Sequence, residues 1–203
     1  MIEVNAISKQ FGKLEILKKV TMSLPAGECI ALIGPNGCGK TTLIKCILGM
    51  VLPTSGTILF EGKPIDNEYL YRNKIGYMPQ MGRYPDNMTI GQIIKMMKEI
   101  RKEEKTLDEE LYEQYGLSKL LNKKMRTLSG GTIQKVSATL AFMFNPAVYI
   151  LDEPTAGLDP IASEILKEKI IKEKEKGKLF LITSHLLSEL DDLVTQLIFM
   201  QEG

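Results

Sequence analysis

The chain has 203 residues, of which 44% are hydrophobic and 25% charged, enough apolar material for one compact domain with room for an inserted subdomain. Its net charge of +1 creates no field that would draw in nucleic acid or anionic lipid, so no nucleic-acid partner is expected. No apolar run approaches the roughly 18 residues of a membrane span, and Met1-Ile2-Glu3-Val4 has neither a basic nor an apolar leader region, which argues against secretion.

In chain order, residues 2–10 and 20–24 alternate apolar with polar, the period of half-buried strands. Phe11 and Gly12 end the first of them. A lone aromatic beside a turn is usually core packing, but in a nucleotide-binding chain its face offers the adenine ring a stacking platform. Pro25-Ala26-Gly27 turns into an apolar strand, residues 29–33, and then comes Gly34-Pro35-Asn36-Gly37-Cys38-Gly39-Lys40-Thr41. A helix over 41–48 follows, with Leu43, Ile44, Ile47 and Leu48 on one face and Gly49 closing it. Strand, glycine-rich turn and helix is the setting of a GxxxxGK[ST] phosphate loop. The glycines let backbone N–H groups curl around an anion, and the helix N-terminus adds partial positive charge. Lys40 can reach the β- and γ-phosphates, and the Thr41 hydroxyl can ligand Mg²⁺. Cys29, Cys38 and Cys46 are an odd count at spacings that match no zinc pattern, so free thiols in a reducing cytosol are expected.

Residues 57–60 read as a strand and 74–78 as another, ending at Pro79-Gln80. From about 88 to 145 the signal is helical with no strand candidate. Thr89 can cap the first helix there, and the mixed charges of 95–110 suit a solvated helical face. Strands resume at 147–151, 179–182 and 197–200. Between the first two lies a helix, residues 161–176, with Glu168–Lys172 and Lys169–Glu173 at the i,i+4 spacing that supports helices. Strand–helix–strand units with continuous apolar strands point to a parallel sheet covered on both faces.

Ligands of such sheets sit beyond the carboxyl ends of the strands. Four strands here end in chemistry: the phosphate loop, Gln80, Asp152-Glu153, and Thr183-Ser184-His185. Asp152 can hold Mg²⁺ directly or through water, and Glu153 can orient and polarise an attacking water; adjacent acids also suit a solvated loop. Gln80 offers an amide oxygen to the metal or the water. His185, the only histidine, can bond a γ-phosphate. Leu128-Ser129-Gly130-Gly131-Thr132 precedes a helix with Ile133, Val136, Leu140 and Met143 on its apolar face. With Ser129 as N-cap, this is a second anion cradle lacking a lysine of its own, or else a plain glycine turn.

Together these residues resemble the ATPase subunit of ABC transporters, over essentially the whole chain. Gly34–Thr41 looks like Walker A, Gln80 like the Q-loop glutamine and Leu128–Thr132 like the LSGGQ signature. Ile150–Asp159 looks like Walker B running into the D-loop, and His185 like the switch histidine. The resemblance implies an α/β fold: a P-loop NTPase (RecA-like) core from 1–80 and 146–203, with an antiparallel β subdomain and an inserted all-helical subdomain at about 81–145. It implies ATP and Mg²⁺ as cofactors, with Phe11, Gly34, Pro35, Asn36, Gly37, Cys38, Gly39, Lys40, Thr41, Thr42, Ser129, Gly130, Gly131 and Asp159 on the nucleotide. Thr41, Gln80 and Asp152 fall to the metal, and Glu153, His185, Lys40 and Gln80 to hydrolysis. Two subunits would pair head to tail, each signature loop capping the ATP held by the other. A transmembrane permease would dock near residues 80–100, placing the chain in the cytoplasm, peripheral on the inner face of the cell membrane.

Thr132 stands where the signature usually has glutamine, and Cys38 fills a variable loop position where backbone matters more than side chain. The chain ends soon after its last strand, whereas the subunits it resembles usually continue. The phrasing of residues 71–80, 128–136 and 141–146 is similar to bacterial subunits of the copper-processing type that serve nitrous oxide reductase maturation. A soluble ABC ATPase not coupled to transport, or a small-molecule phosphate-loop kinase, are the competing classes. The first usually carries a second domain or a long coiled coil, and the second leaves the signature loop without a purpose.

Overall fold

Hydrophobic patterning divides the chain between two sheets, seen in a computed structural model that describes residues 1–66, 69–101, 107–184 and 193–203. The alternating segments form a four-stranded antiparallel sheet in the order β2-β1-β4-β5, from β1 (Ile2–Phe11), β2 (Leu14–Leu24), β4 (Ser55–Phe60) and β5 (Lys63–Pro64). The continuous apolar segments form a five-stranded parallel sheet. Its order is β6-β7-β8-β3-β9, from β3 (Cys29–Ile33), β6 (Ile75–Met78), β7 (Val148–Asp152), β8 (Leu179–Thr183) and β9 (Gln196–Phe199).

Every residue of β7 and β8 is buried because the parallel sheet is covered on both faces. Ile30, Leu32, Val148, Ile150, Leu179 and Leu181 share one core with the antiparallel sheet and with α1 (Lys40–Ile47). Their neighbours Cys29, Tyr149, Leu151, Phe180 and Ile182 face a second core, which takes in α4 (Gly130–Phe142) and α5 (Pro160–Glu175). There Phe142 and Phe180 both stack against Tyr149, at centroid distances of 4.3 and 4.6 Å. A third core joins Val136, Leu140 and Met143 to Ile90, Ile93 and Ile94 of α2 (Ile90–Ile100). α4 is therefore buried on two sides, against the sheet and against α2. Thr89 caps α2 through a complete capping box with Gln92.

The register of the parallel sheet positions the site. Thr183 of β8 pairs with Leu32 of β3 on one side and Asp152 of β7 on the other, and Met78 of β6 pairs with Leu151. The carboxyl ends of four strands thus lie along one edge.

Two features depart from expectation. β2 begins at Leu14 rather than near residue 20. Its first half lacks clean alternation but is held by β1 through the pairs Lys9↔Leu17, Gln10↔Glu15 and Phe11↔Leu14. On α5, the i,i+4 pair of Lys169 and Glu173 is buried, with side chains 2% and 0% exposed, and does more than support its own helix. The Lys169 ammonium donates to Asp108 Oδ2 (2.5 Å), Glu110 Oε2 (2.9 Å) and Glu173 Oε1 (2.9 Å). Lys172 bonds Glu110, at the start of α3 (Glu110–Gln114), so this ion pair reaches across to another element. No helix among the described residues is long and apolar enough to cross a membrane.

Candidate functional site

β3 hands the chain to the glycine loop at the sheet edge. Gly34 has φ +152°, and a Cβ there would lie 2.0 Å from the Met200 carbonyl, so the turn admits only glycine. Pro35, Asn36 and Gly37 are exposed, while Cys38, Gly39 and Lys40 are buried. Lys40 folds over the loop, its Nζ donating to the carbonyls of Gly34 (2.7 Å) and Pro35 (3.0 Å). Cys38 Sγ lies 3.8 Å from that ammonium and packs into the core at 5% exposure. Its side chain is thus built into the loop's underside. All three cysteines are free and buried. Thr41, the second residue of α1, is exposed, with Thr42 half-buried beside it.

Opposite the loop, β7 ends in Asp152, 4% exposed, and Thr41 Oγ1 approaches its Oδ2 at 3.5 Å. Its Oδ1 accepts from the Thr183 hydroxyl at 2.5 Å. Thr183 also receives the Glu153 N–H, on its hydroxyl at 3.0 Å and on its carbonyl at 3.2 Å. Glu153 sits at φ +51°, a left-handed conformation unfavourable for a residue with a Cβ by about 1–2 kcal/mol. The double anchor on Thr183 holds it there. Gln80, two residues past the end of β6, donates its amide to Glu153 Oε2 at 2.8 Å. Behind Asp152, burial and that carboxylate's charge push the Tyr77 phenol up to about 12.

The serine–glycine turn caps α4. Ser129 is exposed and its Oγ accepts from the Thr132 N–H (3.3 Å), with the Thr132 hydroxyl 2.9 Å away. Thr132 therefore supports the cap in the place where glutamine was expected. Gly130 is exposed and Gly131 half-buried, at the positive end of a 13-residue helix. Asp159 caps α5, accepting from Ala162 N–H (2.9 Å) and from Lys135 of α4 (2.7 Å). The Lys135 bond, with the Ala162 N–H second, holds its carboxyl below the usual range. Phe11, at the hairpin between β1 and β2, is 50% exposed with Lys9 Nζ 4.8 Å from its ring centre. Ile16 and Leu17, just past that hairpin, lie close over the loop: a Cβ at Gly39 would come within 2.9 Å of Leu17 Cδ2 and 3.0 Å of the Ile16 carbonyl. His185 lies outside the described residues.

Lys40, Thr41, Gln80, Asp152 and Glu153 therefore converge on one sheet edge, while the Ser129 turn belongs to the helical layer. Sequence reasoning gave Thr183 no task, although it ties Asp152 to Glu153, and it overlooked Gln134. The signal for Gln134 was a polar residue at helical spacing with Ser137, Ala138 and Ala141, all of them buried.

A parallel sheet with a glycine loop at its carboxyl edge, leading into a helix that begins with lysine, defines a P-loop NTPase. The family model described as ABC transporter matches residues 17–156, and the chain belongs to that family. It is 33% identical over its full length to an uncharacterized ABC transporter ATP-binding protein, YhaQ, of Bacillus subtilis (strain 168), covering 69% of that protein. It is 34% identical over its full length to the lantibiotic transport ATP-binding protein SrtF of Streptococcus pyogenes, covering 88% of it. A solved structure of an ATP binding subunit of an ABC transporter matches with a TM-score of 0.92 at 29% identity, over 100% of this chain and 87% of that one. The chain is an ABC transporter ATP-binding subunit, an ATPase.

Proposed function

We propose that this subunit holds ATP·Mg²⁺ between Gly34–Thr42 of one copy and Ser129–Gly131 of a second, and hydrolyses it to drive a membrane partner. The convergence of Thr41, Asp152, Thr183, Glu153 and Gln80 in one chain of hydrogen bonds carries the reading.

The residues fit the cofactor. Thr41 and Asp152 are hard oxygen donors 3.5 Å apart, the ligand type Mg²⁺ prefers, with Gln80 beside them. Lys40 rests on two neutral carbonyls, and exchanging these for phosphate oxygens gives it stronger, charge-assisted bonds. Mg²⁺, when bound, neutralises charge on the phosphates. Glu153 accepts the proton of the attacking water. Gln80 fixes one oxygen of that carboxylate, Thr183 fixes its backbone, and His185 bonds the γ-phosphate. Phe11 gives adenine its stacking face once Lys9 yields it.

The second copy is needed because Ser129 and Gly130, exposed at the N-terminus of α4 with Gly131 half-buried behind them, form an anion cradle with no lysine of its own; Asp159, the cap of α5, is tied to α4 by Lys135. The membrane partner docks in a groove of about 300 Å³ lined by Leu48, Met50, Tyr77, Arg83, Tyr84 and Met97, which suits a short apolar helix with an acidic or carbonyl end. In this reading the chain works in the cytoplasm, on the inner face of the membrane. The copper-processing subtype rests on the phrasing of 71–80, 128–136 and 141–146, and pull-down of the membrane partner tests it.

The site itself is tested by Glu153→Gln, expected to keep ATP binding, lose hydrolysis by about 10²-fold or more, and accumulate ATP-bound dimer. Turnover near that of the unaltered chain removes Glu153 from the role.

A further inference from the structure

Gln134, on the second turn of α4, is 5% exposed, and its amide nitrogen donates to the carbonyl of Gln80 at 2.7 Å and to that of Ala156 at 3.4 Å. Both partners are carbonyls, so the nitrogen must face them. The amide oxygen is left buried and has no hydrogen-bond partner among the described residues. A buried amide satisfied on one side only is costly to keep for packing alone, and an apolar side chain of the same size would avoid that cost.

What the nitrogen grips is the backbone on either side of the reacting carboxylate. Gln80 carries the side chain that bonds Glu153, and Ala156 closes the turn that Glu153 begins, its N–H bonded to the Glu153 carbonyl. One helical turn further on, Ser137 Oγ lies 2.9 Å from the Tyr84 hydroxyl, a second grip on the same 80–84 loop. Between the two grips Gly82 lies flat on α4, where a Cβ would come within 2.3 Å of Ser137 Oγ. The loop is thus fastened to α4 at both ends, five residues from the Ser129 cap.

We propose that Gln134 is a positioning residue: it locks the Gln80 backbone to the signature helix, so that whatever engages the Ser129 turn also sets the placement of Glu153 through Gln80. The inference rests on the reading of Glu153 as the water-activating carboxylate.

The test is a double-mutant cycle in the full chain between Gln134→Met, which keeps size and removes the donor, and Gln80→Ala. Turnover is counted per nucleotide-binding molecule, by titration with a fluorescent ATP analogue, so that unfolded material drops out. Gln134→Met should lower kcat about tenfold with KM changed less than twofold, and should lower it less than twofold further in the Gln80→Ala background. Gln134→Glu, which puts an acceptor against the carbonyls, should lose at least as much. An unchanged kcat, or the same loss in both backgrounds, overturns the proposal. Glu153→Gln run in parallel separates the two failures: retained turnover there refutes the underlying reading, whereas lost turnover there with additive Gln134 and Gln80 effects refutes this link alone.

Discussion

Lys169→Met should destabilise the fold far more than an exposed helix charge would. The side chain is 2% exposed, and its ammonium touches carboxylates from α5, from Asp108 and from the start of α3. Methionine fills the volume but leaves Asp108 without this cation and Glu173, fully buried, with Lys176 at 2.7 Å as its remaining ion-pair partner among the described residues. Removing one member of a buried ion network costs about 3–5 kcal/mol, and the surviving Lys176 and Lys172 bonds place this case near 3 kcal/mol. For a chain of this size that lowers Tm by roughly 6–12 °C. The effect should depend on pH. Burial opposes ionisation of Glu173, but bonds from Lys176 and Lys169 outweigh it and hold its carboxyl below the ordinary 4.5. Bonds from Lys172 and Lys169 do the same for Glu110. The stability these groups add is full above the ordinary carboxylate value and is lost as pH falls through their lowered folded values. Burial alone would lower Lys169, but its three carboxylate partners raise it above 10.5, so its share persists until strongly alkaline pH. Urea denaturation of both proteins at pH 7 and pH 3 measures the difference, which should be near 3 kcal/mol at the first and shrink at the second. A gap under about 1 kcal/mol at pH 7, the value of an exposed pair, or one unchanged in acid, refutes the reasoning.

Two further outcomes concern the site. Thr183→Val removes the hydroxyl that bonds Asp152 at 2.5 Å and receives the Glu153 N–H; hydrolysis should fall about 10–100-fold, and a kcat within twofold of the original contradicts its role. Cys38, packed beneath Lys40, should react with N-ethylmaleimide far more slowly in the folded chain than in urea, with or without ATP, as followed by mass spectrometry. Rapid labelling of the folded chain would show that the loop opens.

What the sequence revealed was whatever depends on short-range order. The glycine loop, the acids at the end of β7 and the Ser129 and Thr89 caps are local patterns whose chemistry follows from spacing, and strand continuity alone announced the parallel sheet. Features made by distant chain segments stayed hidden. Lys169 reads as a surface helix residue until Asp108, 61 residues away, closes over it. The first half of β2 is a strand because β1 lies beside it. Gln134 gains its meaning only where Gln80, 54 residues earlier, meets α4. In each case the partner is fixed by tertiary packing, which no window of neighbouring residues contains.

The composite pocket is tested most directly by the mass of the ATP-bound particle. In a Glu153→Gln background, which traps ATP, light scattering should find a dimer, and adding Ser129→Arg should return it to a monomer that still binds ATP. A dimer that persists with arginine at position 129 contradicts the sharing of each nucleotide between two copies.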